Sequence, residues 1–447
     1  METIDEFSLG IDFGTSGARA IAIDGNQAIR AEARCPFNGM ADGRTAQNDI
    51  VQNNTNQNDI SQNSTGQWQA ALFALLDQIP AAIRAGLTAI AINGTSSTVL
   101  RCDRHGTPLG APLLYNDSRG CESLEVIDAI APIDHVVRSA SSSLAKLLWW
   151  QRHDPLSLEP DAAPIYFLHQ ADWLAFLLHG QLGVSDYHNS LKLGYDVEAM
   201  AYPPWFAKLP NRLILPRVAA PGTPIGPLQP EVAARYGIPK QCLVCAGTTD
   251  SIAAFLASGA AESGEAVTSM GSTLVLKLLS PKRVEQASSG IYSHRLGDRW
   301  LVGGASNTGG AVLAKFFSPD DIAALSQHID PEQDSGLDYY PLLHPGERFP
   351  VNDPGLQPHL TPRPDTPGAF LQGLLEGIAR IESLGYRKLQ DLGAASLTRV
   401  HSAGGGAQND LWRAIRSRYL GVPVVTAVQS DAAYGTARLA QRQSLCD

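Results

Sequence analysis

The chain has 447 residues, of which 44% are hydrophobic and 17% charged, and a formal net charge of -10. This globular composition is enough for about two to three domains, and the acidic balance excludes the basic surface that nucleic-acid binding needs. No apolar run reaches the ~18 residues that cross a bilayer, and the first residues are acidic where a signal peptide is basic, so we predict a cytoplasmic protein without membrane or nucleic-acid partners.

The first predicted element is a β-hairpin over residues 9–23. Its first strand ends at Asp12, and the turn is Gly14-Thr15-Ser16-Gly17. Glycine lets backbone N–H groups approach an anion and the hydroxyls add donors, so this turn can hold a phosphate, while Asp12 can hold a cation. An ordinary tight turn explains the same residues.

Residues 47–56 and 57–66 are near copies of one another, rich in Asn and Gln. A tract this polar buries too little surface to offset the entropy of ordering it. We therefore predict a flexible surface insertion over 47–66, followed by a helix whose apolar spacing runs from Trp68 to Ile79.

A second strand, Thr88 to Asn93, leads into the polar turn Gly94-Thr95-Ser96-Ser97-Thr98, and the segment Leu113 to Arg119 ends in polar residues that include Asp117. Strand ends that carry such side chains are where α/β proteins bind ligands.

The second half repeats this design. A strand over 241–246 ends in Gly247-Thr248-Thr249-Asp250, and Val267 to Leu279 is a hairpin whose turn contains Gly271, Ser272 and Thr273. Its similarity to the first hairpin predicts two related halves.

Two further glycine clusters follow, at 303–310 and 404–406. The second lies between a predicted strand and a helix over 408–419. Free N–H groups and the helix dipole make such a junction a seat for phosphate or ribose. A plain strand-to-helix turn is an equal alternative.

Taken in order, these motifs resemble those of the FGGY family of carbohydrate kinases, and more closely its ribulose and xylulose kinase-like branch of cyanobacteria and plants. The four motifs that carry the resemblance are Asp12 to Gly17, Gly247 to Asp250, Gly271 to Thr273, and Gly404 to Gly406 with Asn409. The turn 94–98 stands where mainstream xylulose kinases have Gln-Met-His.

The resemblance implies an α/β fold of two actin-like (ribonuclease H-like) domains with a catalytic cleft between them. Residues 1–257, with 431–447 returning to them, would form the sugar-binding domain that carries the catalytic base, and residues 258–430 the ATP-binding domain.

The resemblance also implies roles for individual residues. Asp250 would be the catalytic base, and Asp12 and Asp250 would hold Mg²⁺. The sugar would contact Asp12, Ser96, Asp117 and Asp250. ATP would contact Thr15, Ser16, Gly271, Ser272, Thr273, Gly309, Gly310, Gly404, Gly405, Gly406 and Asn409. From the residues alone, Asp250 could instead cap the helix that follows it.

The expected activity is phosphorylation of a ketopentose by a monomer or homodimer that uses ATP and Mg²⁺. The turn at 94–98 favours D-ribulose, giving D-ribulose 5-phosphate, with D-xylulose as the alternative. An actin-fold ATP-binding sensor or weak ATPase is the alternative of another class.

Overall fold

The computed structural model describes residues 5–37, 57–133, 135–153, 163–209 and 213–441. The chain divides into two compact units, residues 1–257 with 431–447 and residues 258–430. Within the ranges described, no helix is long and apolar enough to cross a membrane.

Both units contain strands and helices, as expected of an α/β protein. The strands are β1 (Phe7–Phe13), β2 (Gly17–Asp24), β3 (Ile29–Pro36), β4 (Leu87–Gly94), β5 (Val99–Cys102), β6 (Tyr166–His169), β7 (Val184–Asp186), β8 (Arg217–Ala219), β9 (Pro224–Pro227), β10 (Leu243–Thr249), β11 (Glu265–Met270), β12 (Leu274–Ser280), β13 (Tyr292–Leu296), β14 (Arg299–Ser306), β15 (Arg399–Ala403) and β16 (Val424–Thr426). The α-helices are α1 (Gln57–Gln78), α2 (Ala81–Arg84), α3 (Leu124–Ile130), α4 (Ser143–His153), α5 (Gln170–His179), α6 (Tyr187–Ser190), α7 (Pro230–Tyr236), α8 (Asp250–Ala257), α9 (Gly310–Ala314), α10 (Pro319–Ser326), α11 (Pro367–Asp391), α12 (Asp410–Leu420) and α13 (Ala432–Gln441).

The first unit is built on a six-stranded mixed sheet of order β3-β2-β1-β4-β10-β9. Strands β1, β2 and β3 form an antiparallel meander, whereas β4 runs parallel to β1 and β10 parallel to β4. Leu9, Ile11 and Phe13 of β1 share a buried core with Leu72 and Leu76 of α1. Because β1, β4 and β10 are parallel, their carboxyl ends lie at the same edge of the sheet.

The second unit has a sheet of order β13-β14-β12-β11-β15-β16. Its first strand, β11, is antiparallel to β12 and parallel to β15, as β1 is to β2 and β4. The long helix α11 lies in the same core: Phe370, Leu374 and Ile378 recur every four residues and are buried with Leu276 of β12. The predicted repetition of one strand arrangement in the two halves is thus observed.

The Asn- and Gln-rich duplication behaves differently from the prediction. Residues 57–66 are not a flexible insertion, because they form the first turns of α1, and Thr65 is buried. Once the packed part of a helix exists, adding a residue at its end gains a hydrogen bond without a new nucleation cost. Residues 47–56 lie outside the described residues.

Helix α13 packs against β1 and α8 of the first unit, and glycine permits the contact. A Cβ atom on Gly10 of β1 would lie 2.1 Å from the carbonyl oxygen of Ala433. A Cβ atom on Gly435 of α13 would lie 1.8 Å from the carbonyl oxygen of Ala253 in α8. The three backbones therefore approach as closely as the absence of side chains allows.

This close approach predicts the effect of a single methyl group. We expect Gly10→Ala to destabilise the protein by about 1–3 kcal/mol or more, because backbone atoms in a packed core cannot move aside cheaply. The matched control is Gly25→Ala, since a Cβ atom there meets nothing within 4 Å. Thermal unfolding measures both variants, and equal Tm values would contradict the packing described.

Candidate active site

Three parallel strands of the first sheet end side by side, each in polar residues. Asp12 of β1 is in register with Asn93 of β4, and Asn93 is in register with Thr248 of β10. Asp250, two residues after Thr248, is the first residue of α8. The structure therefore brings together Asp12 and Asp250, which the sequence motifs place about 240 residues apart.

Buried polar atoms without partners collect at this edge. Oδ1 of Asp12, Oδ1 of Asn93 and Oγ1 of Thr249 are inaccessible to solvent and have no hydrogen-bond partner within the described part of the chain. Nearly all buried polar groups in proteins are hydrogen-bonded, so a group of exceptions needs an explanation. A ligand that offers a cation or hydroxyl groups would satisfy these atoms.

The carboxyl group of Asp12 is in an unfavourable place for a negative charge. Burial, followed by the carboxylates of Asp250 and Asp431, raises the pKa of Asp12 to about 7, while the Arg19 guanidinium and the Asn93 amide act in the opposite direction. A cation bound here would therefore be stabilised by three neighbouring carboxyl groups.

Asp431 and Thr436 belong to the site although the sequence analysis missed them. Asp431 forms an ion pair of 3.3 Å with Arg19, and its Oδ1 accepts a hydrogen bond from the backbone N–H of Ala433 at the start of α13. Thr436, one turn later, accepts a bond of 2.7 Å from the Asn93 amide. An Asp just before a helical pattern was the available signal, but it lies more than 400 residues from Asp12 in the chain.

Asp250 is half-buried in the first turn of α8, where the helix dipole favours a carboxylate. Its Oδ1 accepts a hydrogen bond of 2.6 Å from the backbone N–H of Ser251. The helix begins at Asp250 itself and not at the next residue. The carboxylate therefore binds a backbone N–H of the first turn, as the capping alternative predicted. This arrangement orients the side chain.

The residues before Asp250 are held from behind by α6. Nδ1 of His188 lies 2.7 Å from Oγ1 of Thr248, and the amide of Asn189 donates to the Thr248 carbonyl oxygen. Asp186 accepts hydrogen bonds from the backbone N–H groups of both His188 and Asn189. Burial raises the pKa of Asp186 to about 7. This buried cluster supports the end of β10.

Thr15 and Ser16 are exposed in the turn between β1 and β2. The turn is closed by a hydrogen bond of 3.0 Å from the Gly14 N–H to the Gly17 carbonyl oxygen. The Ser16 carbonyl oxygen accepts from the backbone N–H of Phe37, which fixes the far side of the turn.

Ser96 lies half-buried in the turn that follows β4. Gln170 holds this turn at both ends. Its Oε1 accepts a hydrogen bond of 3.0 Å from the backbone N–H of Thr95, and its backbone N–H donates to the Thr98 carbonyl oxygen. Ser97 has a φ of +65°, a left-handed conformation that is uncommon for serine.

The carboxylate of Asp117 is already engaged. Both of its oxygens lie 2.9 Å from guanidinium nitrogens of Arg119, and the Arg119 guanidinium stacks 4.8 Å above the ring of Trp149. A substrate would therefore meet an Asp–Arg pair here rather than an isolated carboxylate.

In the second unit, three glycine segments meet at the carboxyl end of β11. The N–H of Gly310 donates to the Gly271 carbonyl oxygen at 2.8 Å. A Cβ atom on Gly309 would lie 2.7 Å from the Ser272 carbonyl oxygen, and one on Gly404 would lie 2.6 Å from that of Met270. Gly404 also has a φ of +84°, which disfavours other residues.

These segments border a cavity of about 970 Å³ within the second unit. Six predicted residues line it: Gly271, Ser272, Gly310, Gly405, Gly406 and Asn409. Its apolar wall includes Leu313, Phe317, Ile322 and Trp412, and its polar wall also includes Ser326 and Gln327, which the sequence analysis missed. Thr273, Gly309 and Gly404 do not line the cavity, although their segments form its border.

Asn409 has a more indirect place than predicted. Its Nδ2 donates to Oγ of Ser326 at the end of α10, and its Oδ1 accepts from the backbone N–H of Trp412, which caps α12. The side chain thus joins two helices that wall the cavity.

The acidic edge of the first unit fits a magnesium ion of the kind that also binds phosphates. Within the ranges described, no three His, Cys, Asp or Glu side chains form a protein-only metal site. Mg²⁺ in phosphate-transfer sites needs only one or two carboxylates, because phosphate oxygens and water complete its shell. The unpartnered Oδ1 of Asp12 meets that requirement.

Comparison with known proteins was made by sequence and by fold. The profile of the FGGY family of carbohydrate kinases matches with its N-terminal domain over residues 7–257 and with its C-terminal domain over residues 266–444. The chain is 24% identical to the xylulose kinase of Bacillus subtilis, over 97% of this chain and 88% of that protein. It is 26% identical to the xylulose kinase of Escherichia coli, over 97% of this chain and 89% of that protein.

The crystal structure of xylulose kinase from Rhodospirillum rubrum has the same fold, with a TM-score of 0.79 and 21% identity over 99% of this chain and 91% of that one. The α/β fold predicted from the sequence is thereby confirmed. Because the two family profiles match in succession and leave only short stretches unmatched, the chain belongs to the FGGY family of carbohydrate kinases, ATP-dependent phosphotransferases of sugars.

Proposed function

We propose that the protein phosphorylates D-xylulose with ATP to give D-xylulose 5-phosphate. The observation that carries this proposal is that the two curated relatives compared above, which align with 97% of the chain, are xylulose kinases. The preference for D-ribulose depended on the turn at 94–98 alone, and the relatives support the D-xylulose alternative better.

In the proposed reaction, Asp250 takes the proton from the sugar hydroxyl that attacks the γ-phosphate. Its half-buried position in the first turn of α8 supports this role, since a helix N-terminus favours a negative charge and the Ser251 N–H orients the carboxylate. Asp12, with Asp250 beside it, would hold Mg²⁺. When bound, this ion neutralises the charge that develops on the transferred phosphoryl group.

We propose that the cavity of the second unit holds the nucleotide. A volume of about 970 Å³ with apolar walls suits an adenosine group, and the glycine segments at its border leave room for phosphates. Gly271, Ser272 and Gly310 would approach the phosphates, and Gly405 and Gly406 the ribose. Thr15 and Ser16 would add phosphate donors from the first unit.

Ser96 and Asp117 are proposed to contact the sugar. Each lies in a turn whose backbone is fixed by several hydrogen bonds, which is the rigidity that a stereospecific sugar site requires. The Asp117–Arg119 pair would present both a donor and an acceptor to the sugar hydroxyls.

A sensor or weak ATPase, the alternative of another class, would not need a carboxylate placed like that of Asp250. Membership of a carbohydrate kinase family supports the enzyme over the sensor. The cytoplasmic location and the monomeric or homodimeric state stay predictions from the sequence.

A substrate panel tests the proposed function. Purified protein with Mg²⁺ and ATP is assayed for ADP release with D-xylulose, D-ribulose, L-ribulose, gluconate and glycerol. We expect the highest kcat/KM with D-xylulose. A higher kcat/KM with D-ribulose would favour the D-ribulose kinase predicted from the turn at 94–98. ADP release that no substrate increases would favour an ATP-binding sensor or weak ATPase.

Removing the proposed base should affect turnover and not nucleotide binding. We expect Asp250→Asn to lower kcat by about 10²- to 10⁴-fold while the affinity for ATP changes little. The control is Asp298→Asn, whose carboxylate is 92% exposed. Normal turnover by the Asp250 variant would remove this residue from the mechanism.

The carboxyl group of Asp12 should lower the stability of the folded protein, although the proposed function needs it. Its pKa of about 7 lies above the ordinary value of 3.8, so between these pH values the folded state binds the proton that the unfolded state has released. The ionised carboxyl group therefore costs stability as the pH rises toward 7. Without Mg²⁺, we expect Asp12→Asn to raise Tm by about 2–6 °C at pH 8, with little change at pH 4.

The same variant should have lost kinase activity. Thermal unfolding at the two pH values, with and without Mg²⁺ and ATP, measures the effect. An Asp12→Asn variant that is less stable than the parent at pH 8 would show that ionisation of this carboxyl group does not destabilise the folded state.

A further inference from the structure

Lys146, on α4, is a fully buried lysine that the proposed mechanism does not use. Its neighbours on the helix, Leu144 and Leu147, are buried in the same apolar cluster. Lysine is almost never fully buried unless its ammonium group has partners. The position of these partners therefore indicates what the residue does.

The ammonium group joins two turns that are separate in the chain. Nζ of Lys146 donates to the Ser97 carbonyl oxygen at 2.7 Å and to the Leu114 carbonyl oxygen at 2.6 Å. The first turn carries Ser96 and the second leads to Asp117, the two residues proposed to contact the sugar. A single buried side chain thus links both sugar turns.

Two backbone hydrogen bonds between Val99 and Leu113, of 2.9 and 2.8 Å, join the bases of the two turns. The internal hydrogen bonds of each turn do not extend this link to its tip. Gln170 binds the two ends of the first turn, at Thr95 and Thr98. The Leu114 carbonyl oxygen accepts from the backbone N–H of Asp117, within the second turn. Lys146 reaches the tip of the first turn at Ser97, the residue with the left-handed backbone.

The electrostatic surroundings agree with a group held in place for its hydrogen bonds. Burial is the main cause that lowers the pKa of Lys146 to about 7. Asp117 opposes this shift, whereas Lys192 and Arg119 contribute to it. Either protonation state of the amine retains enough N–H groups to bind both carbonyl oxygens. The link between the turns therefore does not require a full positive charge.

We infer that Lys146 is a positioning residue that sets the spacing of the Ser96 and Asp117 turns and thereby the affinity for the sugar. This inference rests on the proposed function, because it takes both turns to contact the sugar. Lys146 itself lies behind the turns and acts through their backbones. Loss of the link would let the tip of the first turn move relative to the second, while the Val99–Leu113 backbone pair keeps their bases together and no proposed sugar-binding side chain is changed.

The test is Lys146→Met, which keeps an unbranched side chain of similar length and removes the donors. We expect the KM for the sugar to rise at least tenfold and kcat/KM to fall about 10- to 100-fold, as small displacements in a site do. The KM for ATP should stay within about twofold, because the glycine-lined cavity belongs to the second unit. Steady-state kinetics with each substrate varied in turn measures both constants.

Leu147→Ala is the matched control, since Leu147 is equally buried on the same helix and its loss destabilises the core without removing the link. Tm is measured for both variants. A rise in sugar KM for Leu147→Ala as large as that for Lys146→Met would show a general loss of packing and would overturn the inference. An unchanged sugar KM in Lys146→Met would also overturn it.

The sugar for these assays is the one that the parent protein phosphorylates best in the panel described above. An inactive parent would mean that the proposed function is wrong, and the inference would fall with it. An active parent with an unaffected Lys146→Met variant would overturn the inference alone.

Discussion

The partial burial of the Asp12 carboxyl group and its repulsion by acidic neighbours form the constraint on which the candidate site depends. Asp12 is half-buried at the end of a central strand, with Oδ1 inaccessible to solvent, and the charges of Asp250 and Asp431 are opposed only in part by Arg19 and Asn93. Such an arrangement is unfavourable for folding by itself. In the proposed function, a Mg²⁺ ion bound at Asp12 would offset this cost.

The remainder of the first unit keeps these groups together. The parallel pairing of β1 with β4 and of β4 with β10 fixes three strand ends at one edge, and α13 approaches closely because Gly10 and Gly435 lack side chains. Behind the edge, His188 and Asp186 hold the end of β10. The precision of the site therefore comes from backbone geometry and buried hydrogen bonds more than from flexible side chains.

The second unit uses the same strand arrangement for a different purpose. Its strand ends carry glycines where the first unit has carboxylates, and the glycines open a cavity in place of a charged edge. The supporting residues are again polar groups joined to one another, as Asn409 is to Ser326. One topology thus carries an acidic edge in the first unit, at Asp12 and Asp250, and a large cavity in the second unit.

Much of this could be predicted from the sequence, because local patterns carry it. The two glycine-containing hairpins, the strand before Asp250 and the helix that contains Trp68 follow from apolar periodicity and turn residues, which act over a few neighbours. The α/β class and the roles of the candidate carboxylates came instead from the resemblance of the ordered motifs to a known family. The polar tract at 57–66 was predicted wrongly because its helical state depends on the packed helix that it extends, which composition does not reveal.

Only the tertiary structure decided which of these residues share a site and which of them have side chains available. It added Asp431 to the acidic edge, occupied the Asp117 carboxylate with Arg119, and placed Lys146 behind two turns. The contacts of Asp431 and Lys146 join residues tens to hundreds of positions apart. The sequence by itself determined the chemical types present and their local elements, whereas burial and long-range pairing, which set pKa and hydrogen-bond partners, exist only in the folded chain.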